Sequence, residues 1–212
     1  MGDSLTALLT QIRACRFCVE TPRGAPLPHA PRPVIQAQSS ARIAICGQAP
    51  GTRVHASGKP FTDPSGDRLR DWMGVTPEEF YDETRTAIVP MGFCFPGLDA
   101  KGGDKPPRKE CAPQWRADVF RQLPNIEIML LVGLYAQRWH LQDAAKASLT
   151  ETVAAWRDFA TRPEGPVLIP LPHPSWRNTA WIRKHPWFET ELLPFVKERV
   201  RGALERQRRK AR

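Results

Sequence analysis

Four short apolar runs, each cut off by glycine or proline, constrain this chain more than any other feature. Ala41–Cys46 (ARIAIC) is broken by GQAPG, Thr86–Val89 by Pro90, Ile126–Val132 (IEIMLLV) by Gly133, and Val167–Leu171 by PHPS. Aliphatic runs of this length with no polar alternation read as strands covered on both faces. Helical spacing lies between them. Leu5, Leu8, Leu9, Ile12 and Cys15 share one face of a helix over Ser4–Cys15, with Asp3 or Ser4 as its cap. Further helices are expected over Ser65–Met73, Pro113–Leu123, Leu134–Leu141 and Thr150–Thr161, and from the cap signal Thr76-Pro77-Glu78-Glu79. The C-terminal stretch reads as mostly helical, interrupted at Pro194. Strands alternating with helices imply a three-layer α/β/α sandwich around a central, mainly parallel four-stranded sheet. Ligands of such folds bind beyond the carboxyl ends of the strands. GQAPG, the Pro90–Gly97 loop and PHPS each follow a strand, so all three would meet at one rim.

At 212 residues the chain is long enough for one domain with a substantial core, and it is read as a single domain over 1–212. No apolar run approaches the ~20 residues that span a membrane. The start, Met1-Gly-Asp-Ser-Leu, has no secretory pattern, so a cytoplasmic location with reduced thiols is expected. The formal charge is +9, compatible with a nucleic-acid partner, but eight basic and two acidic residues from Lys197 to Arg212 carry +6 of it. That basic tail reads either as a phosphate grip or as a solvated helix end. Thr21–Pro33 (TPRGAPLPHAPRP) suits an extended excursion within the domain. Neither a complete G-x-G-x-x-G nor a phosphate-loop lysine signature is present, which argues against a nucleotide-binding enzyme.

Of five cysteines, Cys46 falls inside an apolar strand and reads as a small hydrophobe. The others are a C-x2-C pair, Cys15 and Cys18, and a later pair, Cys94 and Cys111, with sixteen residues between them. Spacing alone leaves three readings open: separate thiols, a zinc site or an iron–sulfur site.

ARIAICGQAPG, SGKPFTDPSGDRL and PHPSWRNT, in this order, resemble the uracil-DNA glycosylase superfamily, and its bacterial and archaeal iron–sulfur families in particular. Those families carry a G-E-A-P-G or G-L-A-P-type loop, a G-R-P-F segment and a late H-P-S or H-P-A motif. The resemblance runs from about Ala14 to Thr179. It implies a structural [4Fe-4S] cluster on Cys15, Cys18, Cys94 and Cys111, with zinc as the lesser alternative. Two positions depart from the pattern: Gln48 stands where the closest families have Glu or Leu, and Pro90 where an asparagine often contacts the uracil edge. HPSWRNT is closer to a branch of broader base tolerance, whose motif continues H-P-S-x-x-N-T.

The implied reaction is hydrolysis of the bond between a base, expected to be uracil, and its deoxyribose, in single- or double-stranded DNA. It leaves an abasic site and needs no lyase lysine. Such an enzyme must extrude the base, stabilise it as a leaving anion and position a water. His173 is the first candidate for a donor to the departing pyrimidine O2. Gly47, Gln48, Ala49, Pro50 and Gly51 would present backbone N–H groups, and Gln48, which cannot take a proton, would hold the water. Asp63 would orient or activate that water, unless it is only a helix cap near Ser65. His55 is the lesser alternative. Phe61 would stack on the flipped base. Ser175 would bind a phosphate, with Trp176 or Arg177 as the wedge and Asn178 completing the motif, although a tryptophan also packs well in any core. The protein is expected to act as a monomer. Two competing readings are an abasic-site or damaged-DNA binder with weak catalysis, and a zinc-stabilised interaction protein sharing the fold.

Overall fold

β1 (Ile43–Cys46), β2 (Thr86–Ile88), β3 (Ile128–Val132) and β4 (Val167–Leu171) lie side by side in the order β2-β1-β3-β4. Every neighbouring pair is parallel. This computed structural model describes residues 2–161 and 164–210. Pro170 sits inside β4, where its missing N–H is tolerated because β4 is an edge strand.

The helices are α1 (Gly2–Arg13), α2 (Phe17–Glu20), α3 (Thr52–Ser57), α4 (Pro64–Met73), α5 (Pro77–Tyr81), α6 (Cys111–Arg121), α7 (Leu134–Leu141), α8 (Leu149–Ala154), α9 (Trp156–Ala160), α10 (Thr179–Lys184) and α11 (Leu193–Lys210). Alternate strand residues face opposite layers. Ile43, Ile45, Leu130 and Ile169 pack with Leu69 and Met73 of α4, Phe80 of α5, and Val196, Val200 and Leu204 of α11. Ala44, Cys46, Met129 and Leu131 face the other way, toward Ala136 and Leu141 of α7. On that same side Leu5, Leu9 and Ile12 of α1 pack with Val119 of α6 and Ala87 of β2. The expected three layers are present, and the sheet is wholly parallel.

Local signals held where they were chemical. Thr76 and Glu79 form a reciprocal capping box at α5. Three expectations need correction. α1 starts at Gly2, so Asp3 and Ser4 are inside the helix rather than at its cap. The expected helix over Thr150–Thr161 is two helices meeting at Ala155, and α9 places Trp156 in one layer and Phe159 in the other. Pro194 does not interrupt the C-terminal helix but lies in its first turn, preceded by a π-helical turn over Phe188–Leu192. The wider turn relieves the clash that a proline ring makes with the preceding carbonyl.

The basic tail continues α11, and three of its described cations find acids, while Arg199 lies over the Phe195 ring at 5.1 Å. Arg201 pairs with Glu79 at 2.8 Å, Arg206 with Glu127 at 2.5 Å, and Lys197 approaches Asp71 at 3.9 Å. Glu127 immediately precedes β3, and the Thr84 carbonyl, held by Gln207, precedes β2. This part of α11 therefore lies at the amino ends of the strands, opposite the rim where ligands bind. Among the described residues no helix is long and apolar enough to cross a membrane.

Arg116 of α6 is 1% exposed. Its Nη1 donates to the carbonyls of Val89 and Pro90, both at 2.9 Å, and its Nη2 lies 2.5 Å from His140 Nε2. Burial and the guanidinium push the His140 pKa down to about 3, so the ring is neutral and accepts from Arg116. In Arg116→Lys a single nitrogen stands where the guanidinium uses two, so it cannot reach the two carbonyls and His140 together. Urea unfolding should show a loss of roughly 2–4 kcal/mol, several times that of a surface substitution.

Candidate active site

The β1–β2 pairing runs on past both strands. Val89 N–H donates to the Ile45 carbonyl, Met91 N–H to Gly47 and Gly92 N–H to Gln48. GQAPG is thereby held against the segment that leads from Pro90 to Cys94. The ring of Phe61 stands over the loop, its Cζ 3.5 Å from where a Cβ on Gly47 would be. Phe61 is left-handed, with φ of +52°, a strained state for an aromatic residue that costs of order 1–3 kcal/mol. Its carbonyl accepts from the Tyr81 hydroxyl at 3.0 Å and from Arg70 at 3.3 Å, which hold the conformation. Gly66 is required beside it: an added Cβ would stand 1.9 Å from that same carbonyl oxygen.

His173 comes two residues after β4 and is partly buried. The N–H of Ser175 donates to its Nδ1 at 3.2 Å, so in the neutral ring the proton resides on Nε2. Burial lowers the His173 pKa below the usual histidine value, against the opposing pull of the Asp63 carboxylate. Asn178 donates to the His173 carbonyl at 2.7 Å, and Arg68 of α4 donates to the Ser175 carbonyl at 3.0 Å. Asn178 thus braces the loop, and Arg68 ties it to α4. Ser175 is partly exposed, while Trp176 is 76% exposed and belongs to none of the core clusters. The Arg177 guanidinium stands 6.0 Å from the Trp176 ring centroid.

Asp63 occupies the N-cap position of α4, yet its side chain makes no capping bond. Its charge acts on both His173 and Asp104. Asp104 belongs to a hairpin closed by Leu98 opposite Asp104, with Lys105 N–H donating to the Gly97 carbonyl at 2.9 Å. Its Oδ2 lies 3.1 Å from the position of a Cβ on Gly51. Gln48 reaches the same hairpin, donating through Nε2 to the Lys105 carbonyl at 3.4 Å. Sequence reading missed Asp104 and Arg68. Arg68 sits inside SGKPFTDPSGDRL, but nothing local links Asp104 to the rim. His55 is drawn elsewhere: its ring is 4.2 Å from His29 and 5.8 Å from Phe95, tying the proline-rich segment to α3.

The four remaining cysteines converge. Cys15, Cys18, Cys94 and Cys111 line one partly open recess, together with Arg108, Glu110 and Trp115. Burial, reinforced by the neighbouring cysteines, pushes the Cys94 and Cys111 thiols up to about 12. The Phe93 N–H donates to Cys111 Sγ at 3.4 Å. Arg108, which lines the recess, has a buried Nε without a partner. Among the described residues no three His, Cys, Asp or Glu side chains are gathered around one ion position. Four sulfur donors around one recess, with a spare N–H among them, nevertheless fit a thiolate-held centre. Cys46 stays apart, buried in β1 beside Arg116.

A parallel sheet with a histidine, carboxylates and a glycine-rich loop at its carboxyl rim defines an α/β enzyme working at that rim. A family model described as the uracil DNA glycosylase superfamily matches residues 35–197. The chain belongs to that superfamily, and membership carries with it DNA as partner and DNA glycosylase chemistry, the hydrolysis of a base from its sugar. The match spans GQAPG, Phe61, Asp63 and PHPS, and begins after Cys15 and Cys18.

NMR titration of the His173 ring should give a midpoint below the ordinary value of about 6.5, with the Nε2–H tautomer dominant above it. The unfolded chain then takes up this proton more readily. The His173 contribution to stability is full above the unfolded value and is lost as pH falls toward the folded one.

Proposed function

We propose that this protein excises uracil from DNA, leaving an abasic site. The observation that supports the reading is the tautomer imposed on His173. With Nδ1 occupied by the Ser175 N–H, the free donor is Nε2–H. Such a donor suits a pyrimidine leaving as an anion with charge spread over N1 and O2, because the hydrogen bond strengthens as the bond to the sugar breaks. The Phe61 ring over Gly47 offers a stacking face for the extruded base. Ser175, Trp176 and Arg177 are the groups proposed to meet the strand, through a phosphate contact and a wedge. In this reading Asn178 and Arg68 hold the histidine loop in position rather than touch the base.

In the same reading Cys15, Cys18, Cys94 and Cys111 hold a [4Fe-4S] cluster. The cluster would act as a cross-link between the amino-terminal helices, the segment beside GQAPG and the start of α6. The chain's own residues do the rest. Arg108 and Glu110 secure the proline-rich excursion through the Ala25 carbonyl and the Arg23 N–H.

Two measurements test this. Single- and double-stranded oligonucleotides carrying one uracil should acquire an alkali-labile site with the parent protein. His173→Ala should slow that by ~100-fold or more. A folded parent without excision overturns the uracil assignment, and tight binding to abasic DNA in its place would favour a damaged-DNA binder. The purified protein should be brown, with about four iron atoms per chain. Zinc in place of iron, or a colourless and metal-free protein of full activity, overturns the cluster.

A further inference from the structure

We propose that Asp104, on the hairpin beside GQAPG, is a catalytic carboxylate that takes the proton from the attacking water. The proposal rests on the glycosylase reading above and gives the proton-accepting role to Asp104 in place of Asp63, the residue the sequence favours for the water.

The water that adds to the sugar must shed a proton, and the groups at the rim differ in what they can accept. GQAPG contains no acid. Gln48 is not a base, and its amide N–H is directed to the Lys105 carbonyl. His173 accepts from Ser175 on Nδ1 and carries its own proton on Nε2, so it faces the site as a donor. Asp63 and Asp104 are left. Asp63 is the carboxylate that acts on His173. Its charge bears on Asp104 as well, whose proton affinity it raises.

Asp104 is placed differently. Its carboxylate lies directly against the backbone of Gly51, 3.1 Å from where a side chain would begin, so the glycine closing the loop is what admits it. Its position comes from backbone rather than from a flexible stem. Leu98 bridges Asp104, Gly97 accepts from Lys105, and Asp99 closes the turn by accepting from Lys101 and Gly103 N–H groups at 2.8 and 2.9 Å. The charged groups acting on Asp104 are Arg177, Asp63 and Asp99. Partial burial raises its pKa, Arg177 opposes the rise, and Asp63 and Asp99 add to it. A carboxylate raised in this way accepts a proton more readily than an ordinary aspartate.

The step balances. The water oxygen bonds to C1′ as the C1′–N bond breaks, and that bond's electron pair leaves with the base. One water proton passes to Asp104, and from there through solvent to the departed base. The products are the abasic sugar and the neutral base, and Asp104 is again a carboxylate.

The test is single-turnover excision from a uracil oligonucleotide across pH, with the parent, Asp104→Asn, Asp104→Glu and His173→Gln. Asp104→Asn should fall by ~100-fold or more while its affinity for the oligonucleotide is unchanged. The loss of rate toward acid pH should persist in Asp104→Glu and His173→Gln and vanish in Asp104→Asn. An undiminished rate in Asp104→Asn, or an acid limb that survives there, overturns the assignment and leaves the glycosylase reading standing. A parent that excises nothing removes that reading and this one together. The Asp104 side chain keeps one side to solvent and, among the described residues, makes no hydrogen bond that the folded chain needs, so the thermal midpoint of Asp104→Asn should match the parent. Should it not, the rate and acid limb of the charge-retaining Asp104→Glu decide the matter.

Discussion

The β1–β2 hydrogen-bond ladder continues beyond its two strands, and the rest of the site depends on that extension. Met91 and Gly92 donate to the carbonyls of Gly47 and Gln48, so GQAPG takes its course from the neighbouring segment. That segment is pinned from below by Arg116, which holds the Val89 and Pro90 carbonyls. Gly92 fits between the GQAPG loop and the chain entering the cysteine recess. A Cβ there would press on Pro107 at 3.2 Å and meet Ala49 at 3.6 Å. Two residues later comes Cys94. The catalytic rim and the cysteine recess thus share one short stretch of backbone, and disturbance at either is felt at the other.

Charge is arranged less simply than the net value of +9 suggests. Lys197, Arg201 and Arg206 of α11 are matched by Asp71, Glu79 and Glu127, away from the rim. The more exposed of these pairs contribute only about 0–1 kcal/mol each. They do leave the described part of the tail a poor candidate for a phosphate grip at the site. The rim itself combines a neutral histidine, two aspartates and Arg177. Opposite charges set close together there suit a reaction in which the sugar becomes positive while the base becomes negative.

Periodicity and local chemistry made much of the fold legible. The apolar runs marked all four strands within two residues, because a strand covered on both faces is built mainly of apolar residues. Thr76 and Glu79 announced a capping box because the motif is closed within four residues. The failures have a common origin. Pro194 reads as a helix breaker, but the π-helical turn before it absorbs the ring. The division at Ala155 follows from where Trp156 and Phe159 must go, into different cores.

The sequence alone determined the layered parallel sheet, the loops that end its strands, the histidine and the cysteine pattern. Each of these is written in neighbouring residues or in a motif order that belongs to one superfamily. Only the tertiary structure decided which nitrogen of His173 carries the proton, that the four cysteines line one recess, and that Asp104 lies against Gly51. The tautomer follows from how the loop after β4 folds back so that the Ser175 N–H meets the ring, and the other two depend on contacts between residues tens of positions apart, which no local pattern encodes. The glycine at 51 carries the trace of that approach in the sequence, and it acquires meaning only once the hairpin has folded onto it.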